Sequence, residues 1–108
     1  MEWLKNEFMI SDNKELIDKY VVTQLLSNTY WATNRTMETI EKSIDNSLSF
    51  GMYISGRQIG FARVVTDKAV LSWIMDVVID DNYRGKGLGQ WLMNCIFEHP
   101  EIQYTAFA

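Results

Sequence analysis

One cysteine, one histidine and one proline stand in 108 residues, and each scarcity closes off a class of protein. A lone cysteine forms no intrachain disulfide, so the fold does not draw on oxidation and a cytoplasmic setting is the expectation. One cysteine and one histidine make no metal-ligand cluster, so no metal is expected. No apolar run is long enough to cross a bilayer, and the first residues, with Glu2, Lys5, Asn6 and Glu7, lack the apolar stretch of a signal peptide. Excess positive charge is missing too. The formal net charge is −4, which argues against non-specific binding to nucleic acid or to an anionic membrane. An anionic ligand must therefore be held by local features. Repeats, low-complexity tracts and linkers are absent as well, and a single domain over residues 1–108 is expected.

What is present is aromatic and periodic. Four Trp, five Tyr and five Phe are many for this length and suit a broad core or a lined pocket. Residues 7–11 read as a short strand, and Ser11 or Asp12 as the cap of a helix over residues 14–26, where Leu16, Ile17, Tyr20, Val21 and Leu25 recur at helical spacing. Tyr30 and Trp31 follow among turn-forming residues. One of the two rings is expected to plug the core beneath the loop, or the pair to form a substrate wall. Thr36 caps a second helix that ends near Asn46. The period then shortens to two, and residues 50–55, 58–66 and 70–79 read as three consecutive strands. A helix with Leu88, Trp91, Leu92, Cys95 and Ile96 on one face follows. Pro100 stops it, and alternation over residues 102–107 predicts a last strand. The expected fold class is α/β (α+β layered), with helices flanking a largely antiparallel, mixed sheet.

The richest stretch joins the third of those strands to the helix. Val77, Val78 and Ile79 suit a strand buried on both faces, Asp80, Asp81 and Asn82 suit a turn, and Arg84-Gly85-Lys86-Gly87-Leu88-Gly89 opens the helix. Glycines let a ligand approach the backbone, and helix-start N–H groups attract an anion. No Lys-Ser or Lys-Thr pair follows, which excludes a P-loop. The third glycine comes one residue early for a dinucleotide fingerprint, and the β-α-β repeats of that fold are missing.

Residues 76–89, with Arg-x-x-Gly-x-Gly at 84–89 and the helix behind it, resemble the acetyl-CoA motif of the GNAT superfamily of N-acetyltransferases, Q/R-x-x-G-x-G/A. The resemblance implies the acyl-CoA N-acyltransferase fold and acetyl transfer from acetyl-CoA to a primary amine of a small molecule or protein. It further implies that backbone amides of Gly85, Lys86, Gly87, Leu88 and Gly89 bind the CoA pyrophosphate. Arg84 would shape the loop, Lys86 would add a phosphate contact, and Val77, Val78 and Ile79 would pair with the pantetheine arm in a gap between splayed strands. Asp76 is the nearest candidate base, its alternative being a carboxylate bonded to backbone at a bulge. Tyr30 and Trp31 are candidate acceptor-pocket residues. The family's usual tyrosine acid lies on a helix after the fifth strand, beyond Ala108, as do the last two strands of its sheet. The expectation is therefore a C-terminally short fold whose exposed last strand pairs with a second copy in a homo-oligomer such as a dimer, or a longer gene product.

Two other readings stand beside the enzyme: a non-catalytic CoA-binding or regulatory module, and an interaction domain whose glycines only form a turn. Cys95 is expected in the core, His99 as a cation suited to a helix end, Trp73 and Tyr53 in the core or an acceptor pocket, and Tyr104 packed on the last strand.

Overall fold

The computed structural model describes residues 1–32 and 34–108; Thr33, within the aromatic loop, lies outside them. Six strands form one sheet in sequential order: β1 (Glu2–Lys5), β2 (Phe8–Ser11), β3 (Leu48–Ile54), β4 (Arg57–Thr66), β5 (Leu71–Ile79) and β6 (Ala106–Phe107). Every neighbouring pair is antiparallel except β5 and β6, which are parallel. Helices α1 (Lys19–Ser27) and α2 (Met37–Asp45) pack on one face, and α3 (Leu88–Glu98) on the other. This is the expected mixed, largely antiparallel sheet between helical layers.

The first core joins α3, through Leu88, Leu92, Cys95 and Ile96, to Ile10, Phe50, Met52 and Ile59. The second joins Val22, Leu26, Ile40 and Ile44 to Phe61 and Val78. Each fully buried Leu or Ile contributes about 1.5–3 kcal/mol, so these two clusters hold the sheet between its layers. Cys95 is in the first core as expected, and burial pushes its thiol up to about 11, which removes it as a nucleophile.

Three expectations need correction. The predicted helix over residues 14–26 is broken: a 3-10 turn covers Lys14–Leu16, Ile17 is extended, and Asp18 caps α1 by accepting from the N–H groups of Tyr20 and Val21. The break has a tertiary cause, since the Asp18 N–H donates to Gln58 Oε1 on β4 at 2.7 Å. An unexpected strand, β1, turns through Asn6 (φ +55°) to pair with β2, and its Trp3 ring lies 6.0 Å from Phe50. The last strand is only two residues long. Residues 99–105 form successive turns, in which Ile102 and Gln103 donate to the His99 carbonyl.

Those turns place Tyr104 differently from the alternating pattern, while His99 stands at the end of α3 as expected. Ile102 is fully buried, Tyr104 is 91% exposed rather than packed, and His99 is buried between Trp3 and Phe50 with Nε2 2.7 Å from Asp12 Oδ2. Ile102→Ala is therefore expected to cost about 2–5 kcal/mol in urea denaturation, and Tyr104→Ala less than about 0.5 kcal/mol. Equal effects would mean that the turns do not form.

Candidate active site

The site is built at the end of β5. Residues Ser72 to Ile79 pair with β4 on one side. On the other side β6 pairs only at Leu71 and Ser72, and the last bond is Ile74 N–H to the Ala108 carbonyl at 3.0 Å. Beyond Ile74 no strand among the described residues takes up this edge, so the backbone of residues 75–79 faces a gap. An extended ligand with amide groups can pair there as a strand would.

The loop after β5 is shaped by its own side chains. Asp80 accepts from Asn82 N–H and starts a 3-10 turn over Asp81–Tyr83, and Arg84 Nε reaches back to Asp81 Oδ1 at 3.0 Å and to the Ile79 carbonyl at 3.3 Å. Gly85 and Gly87 are left-handed, with φ +81° and +75°, so their backbone accounts for glycine. Gly89 differs. Its φ is ordinary for a helix start and an added Cβ would meet no protein atom within 4 Å. Neither conformation nor packing in the chain demands glycine there. Gly87 is the N-cap of α3 and no side chain caps the helix, which leaves its first N–H groups unclaimed.

A cavity of about 330 Å³ brings these parts together, lined by Trp31, Val77–Ile79, Tyr83, Arg84, Gly85 and Gly87–Gly89. Of the residues singled out in the sequence, Val77, Val78, Ile79, Arg84, Gly85, Gly87, Leu88, Gly89 and Trp31 thus share one recess. Lys86 is exposed beside it and does not line it. Tyr30, 92% exposed, stacks edge-on against Trp31 at 5.4 Å and points away. Neither ring plugs the core; among the described residues of that loop Thr29 and Ala32 are buried. Trp73 is exposed rather than buried. A second recess of about 460 Å³, between α1 and Arg57, Gln58 and Asp80–Asn82, shares Val78, Ile79 and Arg84 with the first.

Asp76 sits at a β-bulge, where the register with β4 slips between Phe61 and Arg63. Its φ is +56°, a conformation that Asp tolerates better than most residues. The carboxylate is buried, and Oδ2 accepts from both Arg35 Nη1 and Arg63 Nε at 2.6 Å. Among the described residues Oδ1 has no partner. Burial pushes the carboxyl up, but the hydrogen bonds and charges of Arg35 and Arg63 outweigh it, so the group titrates below the ordinary carboxylate range. Such a carboxylate is a weak proton acceptor at neutral pH.

Residues 14–101 match the family model described as acetyltransferase (GNAT) family. The chain belongs to that family. Among GNAT relatives, an uncharacterized ycf52-like N-acetyltransferase of Prochlorococcus marinus is 35% identical over 74% of this chain and 47% of its own. A GNAT-family protein of Xanthomonas campestris pv. campestris superposes with a TM-score of 0.87 at 32% identity, over 94% of this chain and 74% of that one. A GNAT-family acetyltransferase of Elizabethkingia anophelis, solved with acetyl-CoA bound, shares the fold at a TM-score of 0.63 and 14% identity, over 86% of this chain and 57% of that one. The chain spans 66% and 47% of the length of two curated relatives that it matches.

The partners of Asp76 were not legible locally. Arg35 is 41 residues away in the chain and Arg63 is 13. The available signal was Arg63 itself, a cation inside the apolar strand Phe61–Val65, opposite a strand that carries a lone carboxylate; two such charges on neighbouring strands call for each other.

Because its folded pKa is depressed, Asp76 contributes stability that is present above the unfolded carboxylate value of about 4 and is lost as pH falls through the folded value. Asp76→Asn is expected to flatten the loss of stability below about pH 4, measured by urea unfolding across pH. At pH 7 Asp76→Ala, which leaves two guanidiniums without their anion, is expected to cost about 3–5 kcal/mol. An unchanged acid slope in Asp76→Asn would count against the ion cluster.

Proposed function

We propose that this GNAT-family protein transfers the acetyl group of acetyl-CoA to a primary amine of a small molecule or a protein. The observation that carries the reading is Gly89, a glycine that the chain's own conformation and packing do not require, at the mouth of a cavity lined by an unpaired strand edge and an uncapped helix start. A pyrophosphate accounts for Gly89 and the uncapped helix start, because it needs converging N–H donors and tolerates no side chain in front of them, and the amide-bearing arm of CoA accounts for the strand edge.

In this reading the amides of residues 85–89 hold the pyrophosphate, Arg84 fixes the loop through Asp81, and the exposed Lys86 adds attraction at the rim. The pantetheine amides pair with Val77–Ile79, and Trp31 covers the arm. The thioester then lies toward the bulge. The neutral amine attacks the carbonyl carbon, a C–N bond forms, the C–S bond breaks, and CoA leaves as the thiolate. The amine's proton passes to solvent rather than to Asp76, whose carboxylate is engaged by Arg35 and Arg63. The net negative charge supports a cationic amine acceptor.

Saturating acetyl-CoA is expected to raise Tm by several degrees, since a ligand bound only by the native state stabilises it by about 2.7 kcal/mol at a hundred times its Kd. Gly89→Ala separates fold from site. It is expected to keep or raise the Tm of the free protein, as Ala is the better helix former, and to weaken acetyl-CoA binding about tenfold through loss of one charge-assisted contact. Free thiol released with a panel of amines tests transfer. Binding without thiol release would support the non-catalytic CoA-binding reading, and no shift of Tm at millimolar acetyl-CoA would remove both.

A further inference from the structure

We propose that Arg35 is a positioning residue that, through its ion pair with Asp76, holds Trp31 in place as the outer wall of the 330 Å³ cavity. The proposal rests on that cavity being the acetyl-CoA site. Arg35 lies four residues after Trp31 and directly before Thr36, the N-cap of α2. Asp76 directly precedes Val77, the first residue of β5 to line the cavity. One ion pair of 2.6 Å therefore joins two walls contributed by segments 41 residues apart.

Trp31 is not part of either buried core cluster. Its ring is half exposed and its aromatic neighbour, Tyr30, projects into solvent. Before the ring the loop is fixed by buried Thr29, whose hydroxyl donates to the Leu26 carbonyl at 2.6 Å; after it, by buried Ala32, whose carbonyl accepts from Arg35 N–H at 3.3 Å, and by the guanidinium of Arg35 itself. The two arginines on Asp76 divide the work. Arg63 comes from β4 and also donates to Ser47 Oγ at 3.1 Å, so it belongs to the frame of the sheet. Arg35 comes from the loop. Removing Arg35 leaves the buried carboxylate paired with Arg63, so the sheet keeps its ion pair while the loop loses its tie to β5 on the side after Trp31.

A wall that is in place only part of the time lowers the apparent affinity by the fraction of time that it is in place, and leaves the saturated complex unaltered. Arg35 thus acts on binding rather than on the chemical step. Trp31 and Arg35 together set how far the recess is formed before acetyl-CoA arrives.

The test compares wild type with Arg35→Met and Arg35→Gln by amide hydrogen exchange of residues 28–36 and by acetyl-CoA titration and turnover. Arg35→Met is expected to exchange about tenfold faster in that segment and at the wild-type rate in β3 and β4. Its KM for acetyl-CoA is expected to rise about tenfold with kcat unchanged. Arg35→Gln, which keeps a donor and loses the charge, is expected to show the same changes at smaller size, and decides the matter if Arg35→Met does not fold. Wild-type exchange in the loop of either folded variant overturns the proposal, as does faster exchange across the whole sheet or a fall in kcat at constant KM. The exchange measurement needs no ligand. A wild type that protects residues 28–36 through Arg35 yet does not bind acetyl-CoA would remove the functional reading and leave the tether standing.

Discussion

Strand β5 has a neighbour along one side from Ser72 to Ile79 and along the other only as far as Ile74. Everything around the site answers to that imbalance. An unpaired backbone edge is costly unless water or a ligand satisfies it, and the turns over residues 99–105 bring the chain back to β5 at Leu71 and Ser72, away from residues 75–79. The helix start with unclaimed N–H groups stands at the end of the same strand, so the chain concentrates unmet hydrogen-bonding capacity in one recess. An extended molecule with amides at one end and a diphosphate at the other satisfies both.

The bulge at Asp76 is the other half of this arrangement. A non-glycine residue at positive φ costs of order 1–3 kcal/mol and persists only when its surroundings over-determine it. Two arginines on one carboxylate oxygen supply that determination. Breaking such a buried pair is costly because a charge is left uncompensated, so the bulge, the loop after α1 and strand β4 are held as a unit. The strain and the ion pairs lie immediately before the residues that line the cavity. A local distortion of the sheet is thereby made rigid where geometry matters.

Much of this was legible in the chain. The three glycines, the apolar strand ahead of them and the amphipathic helix behind them announce the site through local chemistry, and α2, β3, β4, β5 and α3 follow from periodicity and caps. What periodicity missed was decided by tertiary contacts. The helix over residues 14–26 breaks at Ile17 because Gln58, on a strand 40 residues away, claims the N–H of Asp18. Residues 102–107 alternate as a strand does, yet Ile102 reaches the core between α3 and the sheet from a turn on His99 and not from a strand. Tyr30 and Trp31 were visible as a pair of aromatics, but which of them faces the recess depends on the fold of their loop. Arg35 carries no local sign of its role, since its partner is 41 residues away.

The parallel pairing of β5 with β6 carries a consequence for the order in which the molecule assembles. Antiparallel neighbours joined by tight turns can zip together early, whereas a parallel pair waits for the crossover that links it. Here the crossover contains α3, which packs on the sheet, and β6 pairs with β5 at Leu71 and Ser72. Without that crossover in place the edge of β5 is unpaired over its full length, the state most open to wrong pairing with another chain. Docking of α3 and pairing of the long-range β6 are therefore coupled, since the same crossover supplies both.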